Sequence, residues 1–214
     1  MPERPTPLFV GRTLEPLDDL EPRGDYDGRS ADHADFSGQD GRGSMFTECL
    51  FDGALLHDSR LDGARFVDCR FTGIQATALQ LARSAFTDVV VRESRLGGVV
   101  AYEVVWQRVT ISGGKLDFVN LRGSKLSDVT ITDAALGEID LGGATVKRLR
   151  ILDCRIDQLT VPGAKLSDVD ISTSAVTTVA GLDSLRGTTI SEAQLHGLAP
   201  ALAAHLGIIV APPN

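Results

Sequence analysis

Large aromatic side chains are scarce in this sequence: one Trp, two Tyr and eight Phe among 214 residues. Exposed rings beside a basic groove would make a base-stacking platform for single-stranded nucleic acid, and neither component is suggested. An excess of positive charge is also missing. The formal net charge is −8, which excludes a protein that holds nucleic acid through its own field. No apolar run reaches the 18 residues needed to span a bilayer as a helix. The start, Met1-Pro2-Glu3-Arg4-Pro5, lacks the charged-then-apolar layout of a secretory leader. There are three cysteines and no CxxC pair, so a reducing cytoplasm is the expected compartment. Motifs for chemistry are missing as well. HExxH, a P-loop, GxSxG and EF-hand spacing do not occur, and His33, His57, His196 and His205 stand apart from one another. The expectation is therefore a chain with no catalytic residues, no metal and no cofactor.

What is abundant is order at a spacing of five. Every fifth residue from Tyr26 to Val176 gives 31 positions, of which 27 are large and apolar or aromatic. The exceptions are Ala31, Gly41, Ala76 and Ala101, and no insertion breaks the register. A second column lies two residues before each of these and holds small or β-branched residues, such as Ser44, Cys49, Ala54, Ser59 and Ala64. The positions between are mostly polar. Five is neither the helical period of 3.6 nor the strand period of two. A chain that turns one corner per five residues keeps both columns inside, and four such sides close a coil of 20 residues. Coils stacked at the parallel inter-strand spacing would build a rod on the order of 36 Å long.

The order of small residue, polar residue, Leu or Phe, then two variable polar residues resembles the pentapeptide-repeat family. Local matches are Ala54-Leu55-Leu56-His57-Asp58, Ala64-Arg65-Phe66-Val67-Asp68 and Ala164-Lys165-Leu166-Ser167-Asp168. The resemblance implies an all-β fold, a right-handed quadrilateral parallel β-helix. Three regions are expected: an irregular N-terminal arm (1–25), the β-helix (26–190), and a short C-terminal helical cap and tail (191–214).

Stacking the coil in columns of 20 assigns structural ladders to Phe46, Phe66, Phe86 and Trp106 on one side and to Phe51 and Phe71 on the next. Cys49 and Cys69 become neighbours in the inner column. Side chains in a parallel stack point the same way, so two buried free thiols are favoured over a disulfide. His57 follows a column centre and is expected to face solvent. Outside, Glu48, Asp68, Asp88, Asp128 and Asp168 share one place in the coil and form a candidate acidic interaction column. Arg108 and Arg148 interrupt it.

Both ends of such a stack need covering. Leu8, Phe9, Val10, Leu14, Leu17 and Leu20 give the N-terminal arm an apolar side. After Val176 the register slips by one residue. Ser191 and Gln194 are spaced as a capping box, which predicts a helix to about Leu198. A second helix over 200–206 is expected after Pro200, and Ile208-Ile209-Val210 reads as a final strand. Leu195, Leu198, Leu202 and Leu206 form a candidate capping or dimerisation face.

Two functions are compatible with these features. The first is a non-catalytic interaction or scaffold protein with a protein partner, no direct nucleic-acid binding and no membrane. The second is implied by the resemblance: some members of the family mimic a DNA duplex, occupy the DNA site of gyrase or topoisomerase IV, protect against quinolones, and dimerise end to end. A continuous negative stripe along the rod would favour the second, and alternating charge the first.

Overall fold

The computed structural model describes residues 13–211. The chain winds as a β-solenoid of about eight turns, followed by one helix. Equivalent residues in successive turns lie 20 apart. Phe46 pairs with Phe66, Phe66 with Phe86, Phe86 with Trp106 and Trp106 with Leu126, all in parallel register. The five-residue period is thus converted into four sides per turn, with the large centres and their small inner partners directed into the core.

The sides merge across corners. In the middle turns one strand covers the first two sides, as in Val105–Ser112, Lys125–Thr132 and Thr145–Leu152. A second, six-residue strand covers the third, as in Gln75–Gln80, Arg95–Val100 and Lys115–Asn120. The fourth side is turn. The strands form a 13-stranded and a six-stranded sheet. The third corner changes character along the rod. At Gly38 and Asp58 it uses a positive φ, whereas from Ala78 onward it is extended and lies inside the strands.

The interior is apolar with a polar seam that satisfies itself. Inner serines donate to the carbonyl 23 residues earlier: Ser59 Oγ to Phe36, Ser84 Oγ to Leu61 and Ser174 Oγ to Ile151, each at 2.8 Å. Cys49, Cys69 and Cys154 are buried free thiols in the same column. Cys49 Sγ and Cys69 Sγ donate to the Tyr26 and Phe46 carbonyls, both at 3.3 Å. Sulfur therefore substitutes for hydroxyl at one repeated site, and a hydrogen bond is the reason the position takes small polar residues as well as Ala and Val.

The aromatic ladders stack as the columns predict. Tyr26, Phe46, Phe66 and Phe86 follow one another at 4.7–4.9 Å between centroids, and Phe51 and Phe71 at 4.6 Å. At Trp106 the order breaks: its ring meets Phe86 edge-on at 5.9 Å and 74°. Phe118 lies outside the ladders and is exposed.

At the N-terminal end, Glu15–Pro16 pairs in parallel with Arg29–Ser30, and the Arg23 N–H donates to the Arg42 carbonyl. Inter-turn bonding thus reaches back before residue 26. Leu17 and Leu20 are buried there, and Leu20 packs over Gly41, where the column lacks a side chain. Leu8, Phe9 and Val10 lie outside the described residues.

At the other end, Thr188 pairs with Val169, a separation of 19 in place of 20. The missing residue is taken up around Gly181, whose φ is 87°. A Cβ there would come within 2.5 Å of the Pro162 nitrogen, so only glycine fits. Three expectations are corrected here. One continuous helix, Glu192–His205, replaces the two short ones. Pro200 cannot donate to the His196 carbonyl, but both residues are exposed, so water can take that carbonyl. Ile208–Val210 is not a strand, since no neighbouring strand pairs with it. His57 is half-buried, and its Nδ1 is enclosed without a partner.

Candidate interaction surface

The candidate acidic column falls on the corner between the first and second sides. Its members adopt positive φ, from 51° at Glu48 to 58° at Asp128. Asp tolerates this conformation better than most side chains, which gives a local reason for carboxylates at the corner. The structure does bring them into one column, but the charge along it alternates. Arg108 forks onto Asp88 through Nε and Nη2, and Arg148 does the same to Asp128. Arg150 reaches Asp168 from the second side at 2.7 Å. The hydrogen bond from Arg148 holds the Asp128 carboxyl below its usual range. Asp68 behaves oppositely: partial burial, followed by the charges of Asp88 and Glu48, pushes its carboxyl up. An arginine therefore meets each carboxylate of the column from Asp88 onward.

That end is acidic as a whole. Residues 13–62 contain thirteen carboxylates and four arginines, whereas residues 63–180 contain thirteen carboxylates against fourteen lysines and arginines. The charge polarity runs along the axis of the rod. Several of the acidic groups are held in place. Arg42 clamps Asp40 through Nε and Nη2, which draws that carboxyl down to about 2. Arg29 pairs with Glu15 at 2.6 Å.

On the fourth side, a surface depression of about 560 Å3 is lined by Arg42, Arg60, Arg83 and Tyr102, with Asp58 and Asp62. Ala78 and Gln80 complete its lining. The Arg83 guanidinium lies 5.6 Å from the Tyr102 ring centroid and donates to its hydroxyl at 3.4 Å. Sequence reasoning passed over this feature. Its signal was the clustering of three Arg and a Tyr within four turns on one side.

The four leucines of the C-terminal face do not act as one surface. Leu198 is buried and Leu202 half-buried against the solenoid core, while Leu195 and Leu206 are exposed. Ile208, Ile209 and Val210 extend the exposed apolar area. Gln194 joins the helix to the rod. Its Oε1 accepts from the Ser191 N–H, and its Nε2 donates to the Ile171 and Ser174 carbonyls at 2.7 and 2.6 Å. His205 Nε2 contacts Asp183 at 2.7 Å near the other end of the helix.

Among the described residues there is no group of three or more His, Cys, Asp or Glu placed to hold a metal ion. No helix among them is long and apolar enough to cross a membrane.

A 20-residue coil with inward ladders and inter-turn parallel pairing defines a β-solenoid repeat protein. The local signature agrees: residues 42–73 match the family model Pentapeptide repeats (8 copies). Residues 42–73 thus carry pentapeptide repeats, within a solenoid whose 20-residue turn continues on both sides of them. No curated protein matches the sequence. Among solved structures, the chain is similar to HetL, a pentapeptide-repeat protein involved in heterocyst differentiation regulation in the cyanobacterium Nostoc sp. strain PCC 7120. Identity is 12%, coverage is 78% of this chain and 91% of HetL, and the TM-score is 0.41. It is also similar to full-length QnrB1, a plasmid-mediated fluoroquinolone resistance protein, at 17% identity, with 91% and 100% of the two chains covered and a TM-score of 0.37.

Proposed function

We propose that this pentapeptide-repeat rod is a non-catalytic interaction protein of the cytoplasm whose partner is another protein. The carrying observation is the alternation of charge along the corner column, Asp88, Arg108, Asp128, Arg148 and Asp168, with the arginines bonded to the preceding carboxylates. Paired charges give a specific, patterned surface. They do not give the uniform negative stripe that a duplex presents. The contact area on this reading is the acidic N-terminal portion, with the Arg-Tyr depression beside it. A cluster of arginine and tyrosine is the composition that tends to dominate binding energy at protein interfaces.

A second reading is favoured by one observation, the excess of nine negative charges within residues 13–62. On that reading the acidic end mimics DNA and engages gyrase or topoisomerase IV. Supercoiling by gyrase, measured with and without micromolar protein and again with a quinolone present, separates the two. The interaction reading expects no inhibition and no protection. Either effect would overturn it in favour of mimicry.

Association of two copies through the C-terminal end belongs to the same proposal. Leu195, Leu206 and Ile208–Val210 are the residues that would be covered, because Leu198 and Leu202 are already committed to the rod. Light scattering during size exclusion should show a dimer that reverts to a monomer in Leu195→Glu/Leu206→Glu. A monomer for the unaltered protein at high concentration sinks this element.

A further inference from the structure

The stack contains a cavity of about 70 Å3 with an entirely hydrocarbon wall, spanning the turns from Leu56 to Val119. The sequence explains its position. The two turns that run from Phe66 to Ala101 each have alanine at one of their four centres, Ala76 and Ala101, where flanking turns have leucine. Ala76 stands in register with Leu96, and both Leu56 and Leu96 line the cavity. In the same region the second-side ladder drops from Phe71 to Val91, and Trp106 meets Phe86 edge-on. The void cannot close by collapse. The turns are held at strand spacing by inter-turn bonds such as Arg95 N–H to Ile74 C=O at 2.9 Å.

Trp106 forms part of the wall, is 7% exposed, and its Nε1–H is buried with no hydrogen-bond partner. An ordered buried water needs about two to four polar partners. The hydrocarbon wall offers a water no such partner, so the cavity is dry. Dry apolar cavities of ~150 Å3 take up benzene or xenon. At about half that size, this one suits a smaller guest.

We propose that the space beside Trp106 is a binding site for a compact, polarisable apolar molecule the size of a xenon atom. Entry is past Val91 and Leu96, wall residues that are only partly buried. They flank Ser94, where the next turn brings two successive positive-φ glycines, Gly113 and Gly114.

Xenon is the probe. Crystals pressurised with xenon should show one anomalous peak within van der Waals reach of Trp106. In solution the emission of Trp106, the sole tryptophan, should be quenched saturably by dissolved xenon. Ala101→Leu and, separately, Ala76→Leu add volume to the two short positions. Each folded variant should lose the peak and the saturable quenching while keeping the unperturbed emission of a buried indole. Absence of a xenon peak in the unaltered protein, or a water bonded to Trp106 Nε1 in its crystal structure, overturns the proposal. So does saturable quenching that persists in both filled variants. The result is independent of which partner the surface binds.

Discussion

At the residue scale, two adjacent positions test the register that builds the whole rod. Phe66 is 1% exposed and stacked between Phe46 and Phe86, while Arg65 beside it is exposed. Phe66→Asp places a carboxylate in the apolar stack and should cost about 4 kcal/mol or prevent folding. Arg65→Ala should cost less than ~0.5 kcal/mol. Urea denaturation of both variants makes the comparison, and equal small losses would contradict the inward assignment. Asp68 offers a change of opposite sign. Its carboxyl is pushed up by partial burial and by Asp88 and Glu48, so its ionised form opposes folding at neutral pH. A raised carboxyl pKa means that this penalty is present above the folded pKa and fades as pH falls through it. Asp68→Asn keeps a side chain that tolerates positive φ and removes the repulsion. It should stabilise the protein by about 0.5 kcal/mol at pH 7, discounted for partial exposure. The gain should vanish near pH 3. A gain that is unchanged across that range would assign the effect to the backbone.

At the element scale, the C-terminal helix is attached by fewer groups than the strands are. Leu198 is its buried residue, and Gln194 links its first turn to the last full coil. Gln194→Ala removes one partner of the capping box and two bonds to solenoid carbonyls. It should cost about 2 kcal/mol, more than the ~1 kcal/mol expected for loss of a cap alone. Ser191→Ala removes only the cap, so the difference between the two variants in thermal melts reports the link to the rod. The capping box itself was legible as Ser191 and Gln194 three apart. The second use of Gln194 was not, because it depends on where Ile171 and Ser174 end up after a one-residue slip. The same limit explains Pro200: local rules end a helix there, and only the exposure of the surrounding turn allows it to continue. The strands were legible for the opposite reason. A column such as Phe46, Phe66 and Phe86 is a long-range contact written at a fixed sequence interval, so periodicity carries tertiary information directly. The pairing of Asp88 with Arg108 was half legible. The shared corner followed from the 20-residue turn, but the forked geometry that cancels the charge needed the side chains.

At the scale of the whole molecule, a solenoid is approximately a sum of turn-to-turn interfaces, so its weakest interface sets where it opens. The turns differ mainly in what fills their centres. Between Leu126 and Ile156 the centres are all branched aliphatics of similar size and are buried throughout. Between Phe66 and Ala101 the large rings are offset by Ala76 and Ala101, within the stretch from Leu56 to Val119 that the cavity spans. The lining side chains have lost dispersion partners on one side, which weakens that interface relative to its neighbours. Native-state hydrogen exchange should therefore show lower protection for inter-turn amides such as Val90 and Arg95 than for Thr145 and Arg155, all of which are bonded between turns. The difference should exceed tenfold, corresponding to about 1.4 kcal/mol. In Ala101→Leu the protection of Val90 and Arg95 should rise towards that of Thr145 and Arg155, with little change in the latter pair. If all four amides exchange by one global opening at the same rate, the rod unfolds as a single unit and the cavity carries no local weakness.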